Sequence, residues 1–541
     1  MVSERVILKS FTKKLEHLGI IAALIDGMVI VNLVDNRLPK LRHHKLTHGE
    51  VVKAIIINGL GFTQRRLYLF PSYFENKAVR RLFRDDITAE DFNDDVIGRT
   101  LDAIKDYGPE MLFQEIISQI FIQTQLGFHK IHVDTTNFSV HGAYNTPSEE
   151  ATITIQKGYP KDGRWELNRF GIGLIVNQIG VPLFMKLLSG NDNDKVVLPK
   201  MVETFRNQVK FPEPLYCIAD SAFYTDETIK KLSDKVLFIT LIPGTIGEQQ
   251  KLLRQNLLLT PMTDPRYSYY ETESMYGGVR QKQVLFLSEE SRKKEGITLE
   301  KHRVAEEENI AKELKTLQKH PFACEEDALI EANRWIKAFP RYILDNVEVV
   351  SHQERISGGR GRPRKDEKTK TVHNLSISIK LKDDAWIPER TALGKFVLVT
   401  NDLSLSAEEL LTYYKNQDVV ERGFRFLNDK SFAISDVFLK KVGRIEALGM
   451  MMVLMLAVYS LGEYKLRSRL KELDMKVLNQ LKRPTDKPTL KWVLTFFDGV
   501  VESYRHDPTT DSVYFEGLLN LTERCWDIVE LFGPGCEKYY T

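Results

Sequence analysis

Residues 129–140, HKIHVDTTNFSV, decide how the chain is read. Val, Ile, Thr and Phe crowd this stretch as they do in strands, and one acid, Asp134, interrupts it. Further β-rich runs follow: RFGIGLIVNQ (169–178), VPLFMKLLSG (181–190), PLYCIAD (214–220) and KVLFITLIP (235–243). Between the later ones lie stretches of helical spacing, NDKVVLPKMVETFRNQ (193–208) and DETIKKLS (226–233). Three strands in series, followed by strand–helix alternation, predict a mixed α/β domain.

Beyond residue 244 the alternation stops. Residues 245–390 hold a Tyr-rich strand pair around Tyr276-Gly277-Gly278, a long charged helix over 289–319 and a shorter helix, EEDALIEANRWIKAF. Two strand-like runs follow, RYILDNVEVVSHQ and KTVHNLSISIKLKD. The α/β texture returns at GKFVLVTND (394–402) and runs into AEELLTYYKNQDVVERGFRFLND (407–429), which reads as one helix. Such an interruption suggests a domain inserted near the end of a parent fold. The expected organisation is a helical N-terminal region (1–125), a first core part (126–244) and a β-rich, partly helical insertion (245–390). A second core part (391–440) and a helical C-terminal region (441–541) complete it.

Composition narrows the function. The 541 residues are 43 % hydrophobic and 28 % charged, an ordinary soluble balance. Lys+Arg at 76 against Asp+Glu at 74 leaves a net charge of +2, so bulk charge alone holds no polyanion and any nucleic-acid surface must be a local patch. Four scattered cysteines, Cys217, Cys324, Cys525 and Cys536, form no CxxC pair, which fits a reducing cytoplasm. The apolar run at 448–461 is short of the roughly 20 residues that span a bilayer, so it reads as a core helix rather than a membrane anchor.

Two basic patches stand out. TQRRLYLFPSYFENKAVRRLFRDD (63–86) interleaves arginines with aromatics, a texture that suits DNA-backbone contacts and equally a solvated helix face. Upstream, His43, His44 and His48 lack the spaced partners of a metal site. RISGGRGRPRKDEKTK (355–370) is the sharper signal, with seven basic residues against Asp366 and Glu367. Its core, Arg360-Gly361-Arg362-Pro363-Arg364-Lys365, resembles an AT-hook, a ribbon whose arginines enter a narrow A·T minor groove. If the flanking runs pair as a hairpin, this segment is a basic finger at its tip; otherwise it is a flexible linker.

Three acids stand out by context. Asp134 follows the strand-like IHV, Asp220 ends LYCIA, and Glu421 lies in the helical stretch after FVLVTND. Acids at strand ends with a third on a late helix are how a ribonuclease-H-like fold gathers carboxylates around Mg²⁺. Two such ions serve in-line phosphoryl transfer. On a continuous helix Tyr414, Glu421 and Asn428 share a face, with Gln417 and Arg425 beside them and Arg422 flanking. The plain alternative is an amphipathic surface helix with an i,i+4 Glu421–Arg425 pair.

These residues carry a resemblance that runs nearly end to end. GEVVKAIIINGLGF, DDVIGRTLDAI, HVDTTNFSVHGAY, GIGLIVNQIGVPLFMKLLSGNDND, CIADSAFYT, FITLIPGT, FVLVTNDLSLSAEELLTYYKNQDVVERGFRFL and FGPGCEKYY occur in order. Together they resemble a bacterial insertion-sequence transposase of the DDE type, from the IS-four-like group and its 1634 branch. The resemblance implies a ribonuclease-H-like core, a mixed sheet with flanking helices, interrupted before its final Glu. It implies Asp134, Asp220 and Glu421 as ligands of two Mg²⁺ ions, with Mn²⁺ able to substitute. It implies duplex DNA as partner (terminal inverted repeats and target), a homodimer on paired ends, and neither membrane nor nucleotide cofactor. The chemistry implied is hydrolysis at the transposon end, then attack by the freed 3′-hydroxyl on a second phosphodiester.

The group's signature, Y-x(2)-R-x(3)-E-x(6)-K, is only half matched. Tyr414 and Glu421 fit, but Gln417 stands for the Arg and Asn428 for the Lys. Both can hydrogen-bond a phosphate, yet neither brings charge. Arg422, Arg425 and Lys430 are the neighbours able to supply it. The expected DNA contacts are therefore Tyr414, Gln417, Arg422, Arg425 and Asn428, with Arg360, Arg362, Arg364 and Lys365 in the finger. An active transposase leads, against a co-opted end-binding protein that no longer cuts and a structure-selective nuclease that joins nothing.

Overall fold

The computed structural model describes residues 9–40, 44–62, 69–142, 144, 151–160, 163–209, 214–356, 368–428, 441–507 and 509–541. A short strand, β1 (Lys9–Lys14), opens the described chain, and helices then run to Thr124. One of them, His48–Leu60, starts with a capping box in which Thr47 and Glu50 bond each other's backbone N–H.

The parent sheet begins with β2 (Lys130–Val140), which doubles back through β3 (Asn168–Asn177) and β4 (Pro182–Ser189). After the helix Asp194–Gln208 come β5 (Tyr216–Ala219) and β6 (Leu237–Leu241), both parallel to β2 in the order β2-β5-β6. This half, β4-β3-β2-β5-β6 with helices on both faces, is the mixed α/β, ribonuclease-H-like core expected from the sequence. The sheet does not stop at β6. β7 (Thr260–Pro261), β8 (Tyr267–Tyr276) and β9 (Val279–Ser288) fall within the stretch read as the insertion, yet they extend the same sheet.

Two helices, Glu289–Lys319 and Glu325–Ile336, pack on a hairpin of β10 (Tyr342–Arg355) and β11 (Thr369–Leu381). Their small separate core includes Phe322, Ala328, Leu375 and Ile377. The chain then returns to the sheet as β12 (Lys395–Thr400), antiparallel to both β6 and β9. Among the described residues the sheet has nine strands, ordered β4-β3-β2-β5-β6-β12-β9-β8-β7.

The pleat divides the core. Ile131 and Val133 of β2 face Leu198, Met201 and Phe205 of the helix Asp194–Gln208. Phe138 and Val140 face the opposite layer, with Phe170, Ile172 and Leu174 of β3. That layer contains the helix Val442–Glu472, long and apolar enough to cross a membrane, yet its most apolar stretch is almost wholly buried in the protein. It is the core helix read at 448–461. At Gly449 it approaches β4 so closely that a Cβ would lie 2.8 Å from Leu187 Cδ2.

The terminal regions are mainly helical and also hold a small sheet. β1 pairs antiparallel with a strand at Val501–Asp507, which pairs with Ser512–Leu519. Partners this distant in sequence leave no mark in local periodicity. The closing FGPGCEKYY locks the two ends together: Tyr539 donates to Asp26 (2.5 Å) and Tyr540 to the Glu16 carbonyl (2.8 Å). Buried Lys53 also donates to Asp26 (2.7 Å).

Candidate active site

β2 and β5 run parallel, with Val133 level with Ala219. The next residues in line are Asp134 and Asp220, so register sets the two acids side by side on strands about 5 Å apart. Both are half-buried. Asp134 accepts the Thr135 N–H through Oδ1 (2.7 Å). Asp220 caps the short turn Ser221–Phe223, accepting the Ala222 N–H (3.0 Å), and its carbonyl accepts the Thr240 hydroxyl (2.7 Å).

Glu421 lies on the helix Asp418–Leu427, which packs across β2 and β3. Val420, Phe424 and Leu427 bury one side of this helix, leaving Glu421, Arg422 and Arg425 exposed. Tyr414 links the helix to the strands. Burial pushes its phenol up to about 12, and the charges of Asp220 and Glu421 push the same way. Tyr414 therefore lies in the electrostatic field of both carboxylates and is neutral at physiological pH.

The stretch read as a single helix is two. Ala407–Lys415 ends, and Asp418–Leu427 begins after a tight turn at Asn416 and Gln417. Bonds three residues back fasten the turn: Gln417 N–H to Tyr414 (2.9 Å), Val419 to Asn416 and Val420 to Gln417 (both 3.2 Å). The shared face is corrected accordingly. Gln417 is buried in the turn, 8 % exposed, whereas Asn428 is exposed at the helix end and its Nδ2 donates to the Phe424 carbonyl (2.9 Å). The Glu421–Arg425 pair does not form either: among the described residues Arg425 has no hydrogen bond or ion pair, and Arg422 approaches Asp418 at 3.6 Å.

The donor set fits a hard divalent cation, since all three candidates offer carboxylate oxygen. Their side chains are not drawn together: among the described residues no three His, Cys, Asp or Glu side chains form a group able to hold a metal ion.

The flanking runs of the basic finger do pair. β10 and β11 stay in register out to Arg355 opposite Thr369, and Ile356 N–H reaches the Lys368 carbonyl (3.2 Å). Arg360, Arg362, Arg364 and Lys365 themselves lie outside the described residues, as does Lys430.

Other residues surround the site. Thr135 donates to Asp194 (2.6 Å), tying the GNDND turn to the strand beside Asp134. His132 is fully buried, and burial followed by the charge of Lys130 pushes it down to about 4, so it is neutral. Arg467 and Lys491, far along the chain, line a cavity against the Glu421 helix.

A family model described as a transposase DDE domain matches residues 130–458, more than half of the chain. A second, described as a domain of unknown function (DUF4277), matches residues 10–118. No curated protein matches. The sheet order and the span of the first match agree, and the chain belongs to the DDE transposase family, enzymes that act on DNA.

Proposed function

We propose that the protein is the transposase of an insertion sequence of the IS-four-like group, 1634 branch, cutting DNA at the element's ends and joining them to target DNA. The observation that carries this reading is the level register of Asp134 and Asp220, with Tyr414 in the field of both Asp220 and Glu421. Asp134, Asp220 and Glu421 would hold two divalent ions, Mg²⁺ with Mn²⁺ as substitute, which would supply water activation and stabilisation of the leaving oxygen. Water attacks the phosphorus at the element's end and the bond to the 3′-oxygen breaks, freeing a 3′-hydroxyl. That hydroxyl then attacks a target phosphodiester, and one P–O bond replaces another.

The chain's own residues orient this exchange. Tyr414, as a neutral phenol, donates a hydrogen bond to DNA at the strand ends. Arg422 and Arg425 bring the charge that Gln417 and Asn428 lack. Buried Gln417 shapes the turn that presents Glu421, and Asn428 meets DNA at the far end of the same helix. Arg360, Arg362, Arg364 and Lys365 grip the minor groove from the hairpin tip. Two copies pair two ends in the prokaryotic cytoplasm, and residues 245–390, although they share strands with the core sheet, act as the insertion that approaches DNA.

Strand cleavage and joining on a labelled fragment carrying the flanking repeats test this, with Mg²⁺, EDTA and Glu421→Gln. Metal-dependent cuts at the repeat ends followed by joining, all absent in Glu421→Gln, are expected. Specific binding without cutting supports the second reading, a co-opted end-binding protein, which the uncharged Gln417 and Asn428 favour. Cuts without joining point to a nuclease.

A further inference from the structure

On the flank of the Glu421 helix lies a cavity of 470 Å³, walled by that helix, the turn at 178–180, the long helix Val442–Glu472 and the segment at 489–491. Four cations line it: Arg422 and Arg425 from the Glu421 helix, Arg467 from the long helix, and Lys491. Among the described residues Glu463 is the one acid in the lining, and it pairs with Arg467 (2.7 Å). Asp418 stands outside the lining, at 3.6 Å from Arg422. Arg425 has no partner among the described residues. Over the described residues the lining therefore holds more positive than negative charge, the requirement for capturing an anion.

Its position selects the anion. At 100° per residue, Arg425 lies about 40° around the helix from Glu421, and Arg422 a further 60° or so in the same sense. A strand whose phosphate reaches Glu421 thus passes Arg425 and then the cavity mouth. We propose that this cavity is a phosphate site for duplex DNA, taking a backbone phosphodiester of the strand that passes Glu421, with the C-terminal region supplying two of its four cations. The site explains how a helix with Gln417 and Asn428 in place of basic residues still holds DNA: the charge comes from across the cavity. The proposal rests on the transposase reading for which DNA arrives, and on geometry alone for the phosphate contact.

The test is fluorescence anisotropy with the full chain and two labelled duplexes, one of random sequence and one carrying the flanking repeat, over 50–200 mM salt. Arg425→Gln and Lys491→Gln, alone and combined, are the variants, because Arg467 also holds Glu463 and the Pro488 carbonyl. Each single variant is expected to weaken binding of both duplexes roughly tenfold and to lower the slope of log affinity against log salt by about 1, the pair by about 2. Lys491→Arg should restore the slope, which a merely misfolded Lys491→Gln would not explain. An unchanged slope in the double variant overturns the proposal, and so does a wild-type chain that binds neither duplex. A chain that binds with the expected slopes but never cuts ends fails the transposase reading and leaves the phosphate site standing.

Discussion

The nine-stranded sheet has two halves that obey different rules. In β3 every residue after Asn168 is buried, because helices cover both faces. In β8, on the far side of β12, half-buried and exposed positions alternate towards its end, and Glu271 and Glu273 point outward. The first half reads as unbroken apolar runs and the second as alternation, the contrast between doubly and singly covered sheets. An acid in the doubly covered half is therefore costly and informative, whereas one in the extension is ordinary surface. Asp134 is of the first kind, and Glu271 and Glu273 are of the second.

The sharpest way to break this comparison is by cavity. Phe170 of β3 is fully buried and stacks on Phe138, ring centroids 5.4 Å apart. Phe170→Ala is expected to cost about 3–5 kcal/mol, read as a drop in the urea midpoint. Tyr270→Ala, at a half-buried position in β8, should cost about 1 kcal/mol. Equal losses would mean that the extension is as much core as β3.

The seam between the halves comes next. Buried Tyr224 stacks on Tyr276 at 4.5 Å and donates to Gln281 Oε1 (2.9 Å), and Gln281 is wholly buried on β9. Tyr224→Phe keeps the ring and strands the Gln281 carbonyl oxygen. A loss of about 1–3 kcal/mol follows if the two halves unfold together. A midpoint that stays put while the extension alone becomes sensitive to protease would show that they unfold separately.

Much of this was legible in the sequence because its cause is local. Strands β2, β3, β4, β5 and β6, the helix over 289–319 and the hairpin around Gly277-Gly278 follow from apolar runs, charge spacing and turn residues. Asp134 stood out as an acid interrupting a buried strand and Asp220 as one ending it, whereas Glu421 stood out by its place on a late helix. The rest depends on partners distant in the chain. Nothing in KSFTKK announces pairing with Val501–Asp507, and nothing in the Tyr-rich hairpin says that it joins β12. The break at Asn416 and Gln417 was hidden because both residues keep helical torsions; only the tightened bonds reveal it. Arg467 and Lys491 reach the Glu421 helix through packing that no spacing rule records.

Tyr414 yields the smallest effect at neutral pH and the most selective one above it. Its phenol is held above its ordinary value of 10, at about 12, by burial and by Asp220 and Glu421. Between pH 10 and 12 the unfolded chain has released this proton while the folded chain keeps it. The stability that Tyr414 contributes is thus complete below pH 10 and is lost as pH rises towards 12. Other tyrosines titrate in the same window, so only a difference isolates this one. Tyr414→Phe should lose less stability than the wild type from pH 10 to 12, with the same pH profile of cleavage from 7 to 9, where the phenol is neutral in any case. Parallel stability curves would remove Tyr414 from the field of the two carboxylates, and with it an electrostatic link between the Glu421 helix and the strand ends.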